Sequence, residues 1–173
     1  MTPPPYVIAI DTDLTKLREA DHLLQDLAVD LGLPETVFGC THLVRDGDRP
    51  RVALSLAAGS EAVIDTARVR LTDQGYRVTD GAWDEAGRAV LYPGADALTG
   101  TLTVAELVSR SVIERVQVLG AADAPTPDTL LVTREFVRPR WQNGELVLAA
   151  MPATGGTLVP FEVPDPTPCC ADH

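Results

Sequence analysis

The N-terminal half of the chain is patterned in the order strand, helix, strand, strand, helix, strand. Two segments carry apolar residues at the three- and four-residue spacing of one helix face, 14–31 and 63–71. Apolar runs or two-residue alternation indicate strands in four others. These four segments are residues 6–10, 36–44, 51–57 and 76–79. This is the ferredoxin-like order, so we predict an α+β fold whose N-terminal half is ferredoxin-like βαββαβ.

The C-terminal half predicts a helix followed by an antiparallel β-meander. Thr103-Val104-Ala105-Glu106 has the spacing of a capping box and opens a helix that we expect to end near Val116. Asn143-Gly144 is a strong signal for a two-residue hairpin turn. The three predicted strands of the meander are residues 130–137, 145–151 and 157–163. Residues 88–92 either extend the fourth strand of the first half or add another.

We divide the chain into residues 1–100, residues 101–163 packed on them, and a tail of residues 164–173. Pro164, Pro166 and Pro168 predict that this tail is extended, because proline cannot donate to a strand ladder. Hydrophobic residues make up 45% of the chain but aromatic residues only 5%, which predicts an aliphatic core. The expected core residues are Ile8, Ile10, Leu17, Leu24, Leu27, Leu54, Leu56, Ile64 and Leu71.

A formal net charge of −11 excludes the ordinary electrostatic footprint of a nucleic-acid or anionic-membrane binder. No segment approaches the roughly 20 apolar residues of a membrane span, and the pattern of the first residues does not predict a secretory signal. Three cysteines are too few and odd in number for a disulfide framework, so we expect a cytoplasmic protein. One basic spot, Arg134, Arg138 and Arg140 beside Trp141, either holds an anion or solubilises an exposed strand.

The cysteines and two of the three histidines fall in two short groups. Cys40 and His42 share one face of a predicted strand, and Cys169, Cys170 and His173 lie in the tail. Thiolate and imidazole are ligands of zinc and copper(I), and these five residues could supply a tetrahedral site closed by the tail. The alternatives are a disulfide between Cys40 and a tail cysteine, or a buried Cys40 and His42 with an inert tail.

Two sequence resemblances add to these interpretations. A vicinal cysteine pair near the C-terminus resembles the tail of mercuric reductases, which implies transfer of a soft metal to a buried site. Residues 6–15, an apolar strand followed by Asp11-Thr12-Asp13-Leu14-Thr15, resemble the first motif of haloacid-dehalogenase-type phosphatases. That resemblance implies that Asp11 is a nucleophile and Asp13 a general acid, with Ser55 and Asp84-Glu85 as later motifs. The other interpretation of Asp13 is a residue at a helix N-terminus.

The residues favour a binding protein over an enzyme. Our first hypothesis is a soft-metal or thiol-redox protein that binds, senses or delivers zinc or copper through Cys40, His42 and the tail. The alternative is an adaptor or dimerisation domain that binds another protein or a second copy of itself. A third possibility is that the tail cysteines are modified by another enzyme. The phosphatase that uses Asp11 and Asp13 is the remaining alternative.

Overall fold

The computed structural model describes residues 2–164, so the predicted ligands Cys169, Cys170 and His173 lie outside the described residues. Within them the chain forms three α-helices and eleven β-strands. The helices are α1 (Leu17–Asp30), α2 (Glu61–Asp73) and α3 (Val104–Arg110). The strands are β1 (Tyr6–Asp11), β2 (Phe38–Val44), β3 (Arg51–Ala58), β4 (Arg77–Asp80), β5 (Arg88–Leu91), β6 (Thr101–Thr103), β7 (Arg115–Val118), β8 (Leu130–Val132), β9 (Arg140–Gln142), β10 (Glu145–Pro152) and β11 (Leu158–Pro160).

The strands join in one large sheet, so the fold is mixed α/β with a mostly antiparallel sheet. The strand order is β4-β1-β3-β2-β5-β9-β10-β11-β8-β6, and β7 pairs with β10 off this path. Only the β7–β10 and β8–β11 pairs are parallel among the described strands. The two predicted parts of the chain meet where Arg88 of β5 pairs with Arg140 of β9, which makes the sheet larger than we predicted. The division at residue 100 stays a prediction.

Helices α1 and α2 cover one face of this sheet, which we call the helix face. Leu24, Leu27, Ile64 and Leu71 pack there against buried side chains of β1 and β3 in a single apolar cluster. Burying each of these aliphatic side chains contributes about 1.5–3 kcal/mol. Eight of the nine predicted core residues are buried; Leu17, which begins α1, is only partly buried. Among the described residues no helix is long and apolar enough to cross a membrane.

The opposite face of the sheet has its own apolar cluster. Alternate residues of β3, Val52, Leu54, Leu56 and Ala58, belong to the cluster on the helix face. Phe38 and Cys40 of β2 instead join a second cluster that contains Trp141 and the buried residues of α3. Because successive side chains on a strand point to opposite faces, His42 and Ser55 also lie on this opposite face.

The predicted helix end near Val116 is wrong, because α3 ends at Arg110 and Val116 lies in β7. Ser111 leaves the helix in extended conformation, and its hydroxyl donates to the carbonyl oxygen of Leu107 at 2.8 Å. That carbonyl would otherwise accept the amide of Ser111 in a continuing helix. Apolar residues in this short stretch fit a strand as well as a helix, so periodicity alone did not locate the end.

The first predicted strand of the meander is also too long. β8 ends at Val132, and Arg134 and Glu135 follow with φ of 54° and 55°, a left-handed conformation that breaks a strand. Residues 140–142 form the separate strand β9. The Asn143-Gly144 turn is confirmed, since it joins β9 to β10 with φ of 50° and 81°. The third strand is shorter than predicted and covers Leu158–Pro160.

Candidate functional site

A pocket of about 350 Å³ opens on the opposite face of the sheet, beside β2 and β3. It has apolar walls at one side and a polar end at the other. Phe38, Ala57 and Trp141 supply apolar surface, and the rings of Phe38 and Trp141 lie 5.6 Å apart between centroids. The polar lining residues are Cys40, His42, Ser55, Asp84 and Glu85. The volume lies within the range of small-molecule sites.

His42 lies at the centre of a hydrogen-bonded chain at the polar end. Its Nε2 lies 2.7 Å from Ser55 Oγ, and its Nδ1 lies 3.0 Å from Asp84 Oδ1. A carboxylate accepts and does not donate, so Nδ1 carries the proton when His42 is neutral. Nε2 is then the acceptor, and the Ser55 hydroxyl donates to it. These two hydrogen bonds therefore polarise the Ser55 hydroxyl toward the imidazole.

The antiparallel hairpin of β2 and β3 positions the serine and the histidine. Cys40 pairs directly with Ser55, and His42 pairs with Ala53. His42 therefore reaches Ser55 diagonally, a distance that a large ring can span between neighbouring strands. Both side chains are held by the sheet, with His42 4% and Ser55 5% exposed. The loop residue Asp84 does not share this rigid support.

The loop between β4 and β5 supplies the carboxylate. Asp84 Oδ1 also accepts the backbone N–H of Ala86 at 2.9 Å, which fixes the carboxylate in a local turn. Gly87 lets the loop approach the strands closely. A Cβ at this position would lie 3.0 Å from both Cys40 Cβ and His42 Cε1. A larger residue at position 87 would push the loop away from the histidine.

Cys40 is a protonated, buried thiol in this pocket. Burial raises its pKa to about 12, and the negative charge of Asp84 acts in the same direction. Hydrogen bonds with Trp141 and Ser55 oppose the shift only in part. Cys40 is therefore neither a preformed thiolate ligand nor an activated nucleophile.

The structure brings Cys40 and His42 together as we predicted for one strand face. In residues 2–164, no group of three or more His, Cys, Asp or Glu side chains is placed to hold a metal ion. Both ring nitrogens of His42 already have partners. The tail residues Cys169, Cys170 and His173 lie outside the described residues, so the shared site stays a prediction. His22 is exposed on α1.

The described chain ends on the other side of the sheet from Cys40. Pro164 lines a cavity of about 830 Å³ together with Asp21 and Arg88. Arg88 donates to the hydroxyl of Thr41 at 3.3 Å. Thr41 lies between Cys40 and His42 on β2, so its side chain points to the other face of the sheet. That cavity is therefore on the helix face.

Two residues of the predicted basic spot, Arg138 and Arg140, belong to an ion-pair network at this second cavity, and Arg134 is exposed. Arg138 pairs with Asp21 at 3.0 Å, and Arg140 pairs with Glu162 at 3.0 Å. Arg88, which no sequence pattern singled out, joins the two carboxylates at 2.6 and 2.7 Å. Acidic side chains of the protein itself therefore pair with Arg88, Arg138 and Arg140.

Asp11 and Asp13 lie away from both cavities. Asp11 ends β1 and pairs with Arg51 at 2.8 Å and Arg77 at 3.5 Å. β1 is antiparallel to both of its neighbours, β3 and β4, whereas the phosphatase resemblance implies a parallel sheet. Asp13 is exposed and precedes α1 by more than a helical turn, because that helix begins at Leu17. It is therefore not the N-terminal helix residue that the sequence suggested.

The phosphatase resemblance includes Ser55 and Asp84 but does not connect them with His42. One signal was available for the serine. A hairpin centred on Gly47-Asp48 aligns Cys40 with Ser55 and places His42 one diagonal step away. Asp84 had no such signal, because 42 positions separate it from His42. Only the folded loop brings it to the ring.

No protein-family model matches the chain, and neither a curated protein nor a solved structure matches it. The chemistry of the site is therefore the basis for inferring a function. An alcohol, an imidazole and a carboxylate that are joined by hydrogen bonds can recognise a polar group on a ligand, and they can also move a proton.

Proposed function

We propose that the protein binds a small, neutral molecule in the pocket between β2, β3 and Trp141. The observation that carries this proposal is a concave site in which apolar walls face a few convergent polar groups, the common composition of a ligand pocket. Ser55 and His42 would recognise one polar group of the ligand. Phe38 and Trp141 would cover its apolar part.

The charge at the rim limits the class of ligand. Asp84 and Glu85 are both exposed beside the pocket, and the chain as a whole carries a net charge of −11. A negatively charged ligand would be repelled by these groups. The site therefore favours an uncharged molecule that carries a hydrogen-bonding group at one end.

We also propose a ferredoxin-like arrangement for the first six elements. Its support is the antiparallel order β4-β1-β3-β2 with α1 and α2 packed in one cluster on the same face. Such a fold hosts many functions, so it does not by itself select a ligand. The polar side chains on the opposite face carry the functional proposal.

A screen of neutral fragments by thermal shift, followed by calorimetric titration, tests the binding proposal. A ligand at 100 times its Kd should stabilise the protein by about 2.7 kcal/mol. Ser55→Ala should weaken the hits, whereas Ser109→Ala, an exposed serine on α3, should not. Ala57→Leu, which extends an apolar side chain into the pocket, should abolish binding. Hits that bind both Ser55→Ala and Ala57→Leu unchanged would place the ligand elsewhere and defeat the proposal.

A second candidate is the soft-metal site, favoured by the proximity of Cys40 and His42. A Cβ at Gly87 would lie 3.2 Å from Cys40 Sγ and 3.0 Å from His42 Cε1, so the two potential ligands flank one point. Zinc or copper(I) would have to displace the thiol proton and the Ser55 contact, with Cys169, Cys170 or His173 completing the site. Binding would therefore strengthen as pH rises.

Elemental analysis of protein purified without chelator tests this candidate. We expect bound zinc or copper, and we expect Cys40→Ala and truncation after Val163 each to lower the metal content. Metal-free protein whose thermal stability does not respond to zinc or copper(I) would end the metal hypothesis. The adaptor and phosphatase alternatives remain sequence predictions.

A further inference from the structure

We propose that Ser55 is a nucleophile in acyl transfer to water, with small neutral esters carrying an apolar acyl group as the substrate class. This inference rests on the proposed function, since it assigns a reaction to the molecule bound in the same pocket. It names His42 as the general base and Asp84 as the positioning residue for the imidazole.

The geometry meets the requirements for an activated serine. A nucleophile and its base lie about 2.6–3.2 Å apart in such sites, and a third group orients the base. Ser55 Oγ and His42 Nε2 are 2.7 Å apart, and His42 Nδ1 and Asp84 Oδ1 are 3.0 Å apart. This combination is recognised by geometry and roles and recurs on unrelated folds.

The position of the Ser55–His42–Asp84 hydrogen bonds beside a cavity distinguishes this site from a buried polar cluster that only satisfies its own hydrogen bonds. Such a cluster needs no neighbouring cavity. Here Ser55, His42 and Asp84 all line the same pocket. A bound molecule would therefore meet the hydroxyl and the imidazole together.

The reaction conserves atoms and charge in two steps. Ser55 Oγ attacks the ester carbonyl while its proton passes to His42 Nε2, and the imidazolium then gives that proton to the departing alcohol. The product of this step is an acyl-serine. Water then loses a proton to His42 and attacks the acyl-serine, and the imidazolium returns the proton to Ser55 Oγ as the carboxylic acid leaves. No oxidant or further reactant is required.

The neighbouring thiol does not compete for the role of nucleophile. Cys40 is 4% exposed, and burial raises its pKa to about 12, so it remains protonated at neutral pH. Only the thiolate form of a cysteine attacks efficiently. The serine instead has a base within hydrogen-bond distance.

The pocket walls define the substrate class. Phe38, Ala57 and Trp141 form an apolar side that suits a short acyl chain. Asp84 and Glu85 at the rim disfavour an ester that itself carries a negative charge. We therefore expect p-nitrophenyl butyrate to be hydrolysed faster than an equally sized ester that carries a carboxylate.

A fluorophosphonate probe and intact-mass measurement test the nucleophile directly. We expect one adduct on the full-length protein, mapped by peptide analysis to Ser55, with fluoride released. Ser55→Ala should remove the adduct, and Ser109→Ala should retain it. Ser55→Cys should keep the fold and become alkylated by iodoacetamide faster than Cys40. Labelling that persists at other serines in Ser55→Ala would overturn the assignment.

Separate measurement of kcat and KM distinguishes a positioning role of Asp84 from a purely structural one. Asp84→Asn should lower kcat for p-nitrophenyl butyrate by about 10²–10⁴-fold with KM nearly unchanged, because the orienting carboxylate acts on proton transfer. Asp26→Asn, the matched control on the exposed side of α1 and away from the pocket, should leave kcat within about twofold. Equal effects of the two substitutions would remove Asp84 from the mechanism.

The outcomes separate this inference from the binding proposal. Fragments that bind the pocket in a protein whose Ser55 resists the probe would refute the nucleophile and leave the binding function standing. A protein that neither binds fragments nor reacts with the probe would refute both. Labelling of Ser55 together with ester turnover would support the inference.

Discussion

The buried ion pairs between α1 and the two halves of the sheet should make a single aspartate essential for stability. Asp21 and Arg88 are each 3% exposed, and their side chains meet at 2.6 and 3.1 Å. Asp21 also accepts from Arg138 at 3.0 Å. One carboxylate therefore joins α1, β5 and the segment before β9.

Asp21→Asn keeps the size of the side chain and removes its charge. Loss of one partner from a buried ion pair costs about 3–5 kcal/mol, because the remaining charge stays in a low-dielectric site. Arg88 keeps its contact with Glu162 at 2.7 Å, so we expect a loss near the lower limit, about 3 kcal/mol. At about 2–4 °C per kcal/mol for a chain of this size, Tm should fall by roughly 6–12 °C.

Urea unfolding followed by tryptophan fluorescence at pH 7 measures this loss. Asp26→Asn is the matched control, because Asp26 is exposed on the same helix and should change stability by less than about 0.5 kcal/mol. Replacing Asp21 and Arg88 together, as Asp21→Leu with Arg88→Met, should recover part of the loss, because neither of these two buried charges then remains; Arg138 still loses its carboxylate partner. If Asp21→Asn and Asp26→Asn have equally small effects, the reasoning about the buried network is wrong.

Three further predictions concern the pocket thiol, a helix cap and a close backbone contact. The free energy of unfolding of the native protein, measured relative to Cys40→Ala, should not change with pH below pH 9.0. Between pH 9.0 and pH 12 it should fall by about 1.4 kcal/mol per pH unit, because the thiol ionises in the unfolded chain but not in the folded protein. Urea unfolding at a series of pH values measures this difference. Thr103→Ala should cost about 1 kcal/mol in the same assay at pH 7, because it removes the side-chain acceptor of the α3 capping box, and no loss would mean that water replaces the cap. Gly94→Ala should destabilise the protein more than Gly100→Ala. Both glycines have positive φ, but only a Cβ at Gly94 overlaps the carbonyl oxygen of Arg110. Equal losses of stability would show that the φ angle alone determines the cost.

Elements with a strong local pattern could be predicted from the sequence, and elements with weak patterns could not. The apolar stripe of α1 identifies a helix with one buried face, and β2 and β3 are largely apolar strands that are buried on both faces. β9 has three residues and β6 has three, so neither contains enough alternation to be recognised. Their formation depends on partners from distant parts of the chain.

The candidate site shows the same division. The sequence placed Cys40 and His42 on one face of a strand, since that follows from the two-residue repeat of strand side chains. Ser55 follows from the hairpin register. Asp84 reaches His42 only because the loop after β4 folds over the sheet, and Gly87 permits that approach.

By itself the sequence determined the local elements, the apolar faces and the pair Cys40–His42, because these depend on residues close together in the chain. The tertiary structure decided which strands from the two halves pair, as Arg88 with Arg140, and which charges become buried. It also decided that His42 bonds a serine and an aspartate. Such contacts join residues 13 to 117 positions apart, and their free energy depends on burial and distance that exist only in the folded chain.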